Sequence, residues 1–199
     1  MGPGTKYYSG VDFGVSHATA MTFFAVDPDG NHYLFDEWSK SNATLREIAQ
    51  AHSERTKGLD WEYHIGDSAA ARERLEIKQY GINLVPANKW EKGENGESNR
   101  KTGILHINQL LYDGKFLISD RCKGFIKEIE NHYFKSGEKD GQVVKERDNL
   151  LDSGRYCCFA IKKDQTTKKA KKFKRDWGVS WQTAEKGDNA YESLLPQPY

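Results

Sequence analysis

The chain has 199 residues, 37% of them hydrophobic and 30% charged, with a formal net charge of +1. That length is enough for one domain with a sizeable core. No apolar run approaches the roughly 20 residues that cross a bilayer, which excludes a membrane span and points to a soluble protein without a membrane partner. Near-neutral charge argues weakly against a nucleic-acid partner unless the charge is unevenly distributed.

Taken in chain order, Met1-Gly2-Pro3-Gly4 lacks the apolar segment of a signal peptide, and residues 1–6 read as a cloning scar or linker. Tyr7 to Val15 and Thr19 to Val26 are rich in aromatic and β-branched residues and predict two strands. Asp27-Pro28-Asp29-Gly30-Asn31 is a turn signal, so His32 to Trp38 is expected as a third strand, antiparallel to the second. Thr44 to Lys57 carries Leu45, Ile48 and Ala49 at helical spacing, with Ser41, Asn42 or Thr44 available as cap and Gly58 as stop. Trp61 to Ile65 predicts a short strand ending in Gly66-Asp67. Ser68 is a candidate cap for a helix from Ala69 to Tyr80, and Ile82 to Val85 predicts another short strand before Pro86.

Glu91 to Asn99 reads as a polar loop, Lys101 to Tyr112 as a helix, Lys115 to Ile118 as a strand and Arg121 to His132 as a helix. Lys135 to Val144 contains Glu-Lys-Asp-Gly and suggests a hairpin. Asn149 to Ile161 is the last helix the pattern supports. Lys162 to Arg175 is strongly basic; it suits either a phosphate-holding surface or a solvated, partly disordered tail. Cys122, Cys157 and Cys158 are an odd count for a disulfide framework. They point to reduced thiols in a cytosolic setting, the adjacent pair serving packing rather than a metal.

A three-strand meander followed by alternating helices and strands predicts an α/β fold: a mixed sheet, antiparallel at first and then parallel, with helices on both faces. Ligands in such sheets gather at the carboxyl ends of strands. Asp12 and Asp67 fall there, and Asp152, near the start of the last helix, is placed to join them. A carboxylate at the end of a buried strand must be paired or hold a cation. Three from three elements suggest a divalent-metal site.

The motifs resemble those of a known group. Gly10-Val11-Asp12-Phe13-Gly14, Gly66-Asp67-Ser68-Ala69, Pro86-Ala87-Asn88-Lys89, and Asp148-Asn149-Leu150-Leu151-Asp152-Ser153-Gly154-Arg155-Tyr156 occur in the order seen in the nuclease domain of the bacteriophage terminase large subunit. The last is similar to that family's Asp-His-x-x-Asp-Ala-x-Arg-Tyr. Ser98 to Leu111, with Gly103-Ile104 opening a helix, also fits, and the resemblance runs from about Tyr8 to Ala160. Asn149 departs from the family's His, and Ser153-Gly154 from its Ala-x. The resemblance implies a ribonuclease H-like fold over residues 7–162. Residues 163–199 then form a basic C-terminal extension, partly disordered or packed on the domain.

It further implies a metal-dependent endonuclease that cuts double-stranded viral DNA concatemers during packaging, in the cytoplasm of the infected bacterial host. The expected cofactor is Mg or Mn, as two ions. Asp12 bridges them, Asp67 and Asp152 each bind one, and Asp148, one helical turn before Asp152, is a further candidate ligand. Lys89, Lys92, Arg100 and Lys101 are candidates to hold DNA phosphates. The expected partners are a packaging ATPase domain in the same polypeptide, the portal and the small terminase subunit. The chain has no Gly-x-x-x-x-Gly-Lys-Ser/Thr phosphate loop and is not expected to be the motor.

Ordinary alternatives stand beside each residue. Asp12 suits a turn, Asp67 a helix-cap neighbour and Asp148 an N-cap. Asp152 suits a surface pair with Arg155, and the four basic residues suit a solvated loop. His17 reads as structural or solvated. Alternative functions are a resolvase or ribonuclease of the same fold, or a non-catalytic DNA-binding or docking module of the motor.

Overall fold

The computed structural model describes residues 2–14, 17–87, 99–135 and 148–176, with side chains described for 2–14, 17–87, 103–131 and 148–162. The chain divides after Lys163 into two compact units. Of the second unit, residues 164–176 are described, and they are helical backbone.

The first unit is built on a six-stranded sheet. Its strands are β1 (Lys6–Asp12), β2 (Ala18–Val26), β3 (His32–Ser41), β4 (Trp61–Gly66), β5 (Leu84–Pro86) and β6 (Phe116–Ile118), in the order β5-β4-β1-β2-β3-β6. β1–β2 and β2–β3 pair antiparallel, whereas β4 joins β1, β5 joins β4, and β6 joins β3 in parallel. This is the meander-then-crossover mixed sheet that the sequence pattern implied. The β2–β3 turn is closed by Gly30 N–H on the Asp27 carbonyl (3.0 Å) and Asn31 N–H on Asp27 Oδ1 (2.9 Å), with Gly30 at φ 84°.

The helices are α1 (Leu45–Thr56), α2 (Ala71–Ile77), α3 (Asn99–Tyr112), α4 (Lys123–Lys135) and α5 (Asn149–Asp176). Thr44 and Glu47 cap α1 reciprocally. α2 begins two residues later than its sequence suggests: Ala70 is its N-cap and makes no side-chain cap bond, and Ser68 Oγ is buried with no hydrogen-bond partner among the described residues. Its end tightens into a 3-10 turn, Lys78–Tyr80, stopped by Gly81 at φ 82°. β1 ends at Asp12, short of the expected Val15. α5 runs on to Asp176, so the basic stretch from Lys162 is continuous helical backbone. The expected hairpin after Lys135 lies outside the described residues.

Period-two alternation along the strands sorts side chains onto two faces. Tyr8, Phe24 and Leu34 pack with Phe125, Leu150 and Cys157 from α4 and α5. Val11, Met21 and Phe23 pack with Ile48 and Ala49 of α1 and with Ile77 of α2. Helices therefore cover both faces. Cys122, Cys157 and Cys158 are buried free thiols. The α1 face also buries Ser9 Oγ between His52 Nε2 (3.1 Å) and His64 Nδ1 (2.8 Å). Burial holds both rings neutral, His52 down to about 3, with the His64 charge adding to the effect, and His64 down to about 4.

α4 and α5 are tied down by carboxylates from other elements. Glu37 of β3 accepts the N–H groups of Gly124 (2.7 Å) and Phe125 (2.8 Å), and Glu128 accepts that of Leu151 (3.0 Å). A helix start leaves such donors unsatisfied and favours negative charge.

Candidate active site

Asp12 is the last residue of β1, and Asp67 directly follows β4, the strand beside it. The Asp67 N–H extends the pairing by donating to the Val11 carbonyl (3.0 Å). Its own carbonyl accepts from the Ala70 N–H (3.2 Å) and from Arg74 Nη1. These bonds fix a tight turn in which Asp67 Oδ1 accepts the Ala69 N–H (2.9 Å). Asp67 thus braces the turn that leads into α2, through one oxygen only.

Asp152 arrives on the first turn of α5. Close packing brings this helix onto β1. A Cβ on Gly10 would stand 2.1 Å from the Ser153 carbonyl oxygen, so only glycine lets the backbones approach this closely. Ser153 Oγ donates to the Gly10 carbonyl (3.2 Å) and lies 2.7 Å from Thr22 Oγ1. Gly154 accommodates Phe125, whose ring carbon would lie 2.7 Å from an added Cβ. Ser153 and Gly154 thus serve the packing of α5.

Once α5 is docked, its next two residues meet the carboxylates. The Tyr156 hydroxyl donates to Asp12 Oδ1 (3.3 Å). Arg155 places Nε (3.1 Å) and Nη2 (3.0 Å) on Asp152 Oδ1, with its guanidinium carbon 4.8 Å from the Tyr156 ring centre. The pairing of Asp152 with Arg155 is therefore real, and it coexists with membership of the cluster. The side chains of Arg155 and Asp152 are mostly buried, at 14% and 22% exposure.

Electrostatics ties the three carboxylates together. Asp12 is raised from an ordinary 3.8 to about 7, first by burial, then by the charges of Asp152 and Asp67; Tyr156 and Arg155 oppose the rise only in part. The Tyr156 hydroxyl is also driven up, by burial and then by Asp12, Asp152 and Asp67. The structure thus brings Asp12, Asp67 and Asp152 into one neighbourhood.

Asp148 stands at the head of α5, its carbonyl accepting the Asp152 N–H (2.8 Å). Its charge is felt at Glu128, which burial foremost raises to about 7. His17 is exposed in the β1–β2 connection. Arg100 and Lys101 lie on the first turn of α3, and Lys89 and Lys92 lie outside the described residues.

Sequence reasoning named Asp12, Asp67 and Asp152 but gave Tyr156 no role, although it lies one helical turn after Asp152 on the same face. Glu37 and Glu128 carried no signal as helix caps, because their partners are distant in sequence.

Carboxylate oxygens suit hard divalent cations such as Mg²⁺ or Mn²⁺, and a cation would relieve the burial and the neighbouring carboxylates that together raise Asp12 to about 7. Among the described residues, no group of three or more His, Cys, Asp or Glu side chains is gathered tightly enough to hold an ion as it stands. The donor set fits in charge and chemistry, and ligation requires the carboxylates to draw together.

No family model matches the chain. Among curated proteins it is 24% identical over 151 residues to the terminase large subunit of Enterobacteria phage LP7, spanning 73% of this chain and 31% of that protein. It is likewise 24% identical over 151 residues to the terminase large subunit of Salmonella phage P22, spanning 29% of it. The chain thus spans about a third of the length of the curated relatives it matches.

Among solved structures, the P22 large terminase nuclease domain superposes with a TM-score of 0.62 at 20% identity, covering 78% of this chain and 81% of that one. The nuclease domain of the large terminase from bacteriophage SPP1, solved with bound Mn, gives 0.60 at 22%, covering 76% and 84%. A large terminase from a thermophilic bacteriophage gives 0.63 at 21%, covering 78% of this chain and 40% of that one. In sequence the chain is similar to phage terminase large subunits, and its mixed α/β fold is that of large terminase nuclease domains.

Proposed function

We propose that the chain is a divalent-metal-dependent endonuclease that hydrolyses double-stranded DNA with little sequence specificity and cuts viral concatemers during genome packaging. The observation that carries this reading is the convergence of Asp12 at the end of β1, Asp67 just after β4 and Asp152 on α5, where burial first, and then the charges of Asp152 and Asp67, raise Asp12 to about 7. The Mn-bound SPP1 nuclease domain on the same fold supports the choice of ion.

Two Mg²⁺ or Mn²⁺ ions, when bound, supply activation of water and stabilisation of the leaving oxygen. Asp12, Asp67 and Asp152 would hold them, with Asp148 at the head of α5 as a further candidate ligand. The Tyr156 hydroxyl, held above its ordinary range, stays protonated and keeps donating to Asp12. Lys89, Lys92, Arg100 and Lys101 hold the DNA by its phosphates, contacts that read no base sequence.

The partners in this reading are duplex DNA, a packaging ATPase domain in the same polypeptide, the portal and the small terminase subunit. The setting is the host cytoplasm. Consistent with it, no helix among the described residues is long and apolar enough to cross a membrane.

The test is cleavage of supercoiled plasmid with manganese, magnesium, calcium or chelator, run beside Asp12→Asn. Nicking and linearisation with manganese, lost in chelator and in the variant, is the expected result. Cleavage surviving Asp12→Asn removes Asp12 from the site. DNA retention without cleavage at any manganese concentration turns the reading into a docking module. Preference for branched DNA or RNA–DNA hybrid over linear duplex makes the chain a resolvase or ribonuclease.

A further inference from the structure

The three carboxylates are tethered in the same way. Asp12 Oδ1 accepts from Tyr156, Asp152 Oδ1 from Arg155 and Asp67 Oδ1 from the Ala69 N–H. Among the described residues no hydrogen bond reaches the second oxygen, Oδ2, of any of them. Two of the tethers are consecutive residues of α5, yet they serve carboxylates on different elements, one of them 144 positions away.

The Arg155 fork is spent on a single oxygen. A guanidinium built to neutralise a carboxylate would engage both oxygens side by side; here both contacts fall on Oδ1. The arginine is itself held. Its guanidinium lies against the Tyr156 ring, and its stem lies against Gly103 of α3, where an added Cβ would stand 2.6 Å from Arg155 Cγ and 2.7 Å from Cδ. Any side chain at 103 would push the stem away.

We propose that Tyr156 and Arg155 are positioning residues that each hold one oxygen of an aspartate and leave the other to a divalent cation, with Gly103 fixing Arg155 in that task. This rests on the metal-dependent reading above. It assigns roles to two residues that need not touch the ion. It also explains why the second turns of α3 and α5 must meet at a glycine. Partners that orient a metal's ligands are worth about 10–100-fold in affinity when removed.

The experiment is Mn²⁺ titration of the whole chain, followed by electron paramagnetic resonance and by calorimetry. The variants are Tyr156→Phe, Arg155→Lys, Arg155→Gln and Gly103→Ala, each checked for folding by a melt without metal. Tyr156→Phe loses only a hydroxyl, and Gly103→Ala removes neither donor nor charge; each is expected to weaken Mn²⁺ binding about tenfold.

Arg155→Gln separates positioning from plain electrostatics. Removing a cation beside three carboxylates should tighten Mn²⁺ binding if charge alone matters, whereas loss of positioning weakens it. Arg155→Lys, which keeps the charge and loses the fork, should fall between wild type and Arg155→Gln. Tighter binding by Arg155→Gln, or wild-type affinity in Tyr156→Phe or Gly103→Ala, overturns the proposal and leaves the nuclease reading standing. A wild-type chain that binds no Mn²⁺ overturns both.

Discussion

Replacing Asp12 by Asn should make the metal-free protein more stable, by an amount that grows as pH rises above about 4 and is complete above about 7. In the unfolded chain Asp12 ionises near 3.8, and in the folded chain near 7. Between those values the native state keeps a proton that the unfolded state has released, so stability falls as pH rises through the window. Below 3.8 the carboxyl contributes no difference; above 7 its full cost is present. At about 1.36 kcal/mol per pH unit, the rise from 3.8 to about 7 amounts to roughly 4 kcal/mol.

Asparagine keeps the shape and the oxygen that accepts the Tyr156 hydroxyl, and discards the charge. Urea unfolding in chelator should therefore show Asp12→Asn more stable than wild type by up to about 4 kcal/mol near pH 8, and nearly equal to it near pH 4. Adding Mn²⁺ should raise wild-type stability and leave the variant unchanged. A variant no more stable than wild type near pH 8, or a gain independent of pH, would refute the claim that burial and the neighbouring carboxylates strain Asp12.

Gly10→Ala drives a methyl to 2.1 Å from the Ser153 carbonyl oxygen; a loss of about 3 kcal/mol or more in urea unfolding, with loss of cleavage, is expected, and wild-type stability would disprove the contact. His52 and His64 stay neutral in the fold down to about 3 and 4, so the stability present above about 6.5 drains away as pH falls toward those values. His52→Gln should flatten that acid slope in urea titrations; an unchanged slope would exonerate the pair. Charge reversal at Lys89 and Arg100 should weaken DNA binding and flatten its dependence on salt, with an unchanged slope in a filter-binding series indicating another DNA path.

The sheet was legible because its strands are rich in aromatic and β-branched residues and its turns carry their usual residues. Asp12 and Asp67 stood out because a charge at the end of an apolar run is costly unless it has a purpose. Boundaries were less legible. Ser68 resembles a cap, but the bonds that hold the Asp67 turn delay α2 to Ala71. Lys162 to Arg175 gave no helical periodicity, yet the backbone continues as helix to Asp176.

The tethers were the least legible part. The Arg155–Asp152 pair is local to α5 and readable from its spacing, but the hold of Tyr156 on Asp12 depends on α5 docking against Gly10 of the first strand. Tertiary contact sets that pairing, and local sequence carries no trace of it. The same holds for Glu37, a strand residue whose capping role at α4 is 87 positions away.

The close seating of α5 on Gly10 has a consequence for how the domain folds. The contact joins the first strand to the last helix of the described domain, so its loop-closure cost falls late in folding. β1 and β4 can pair, and bring Asp12 beside Asp67, long before α5 arrives with Asp152, Arg155 and Tyr156. A chain cut short before α5 would hold two of the three carboxylates and neither side-chain tether, leaving half a cutter. On the nuclease reading proposed above, cleavage competence is thus tied to completion of the fold.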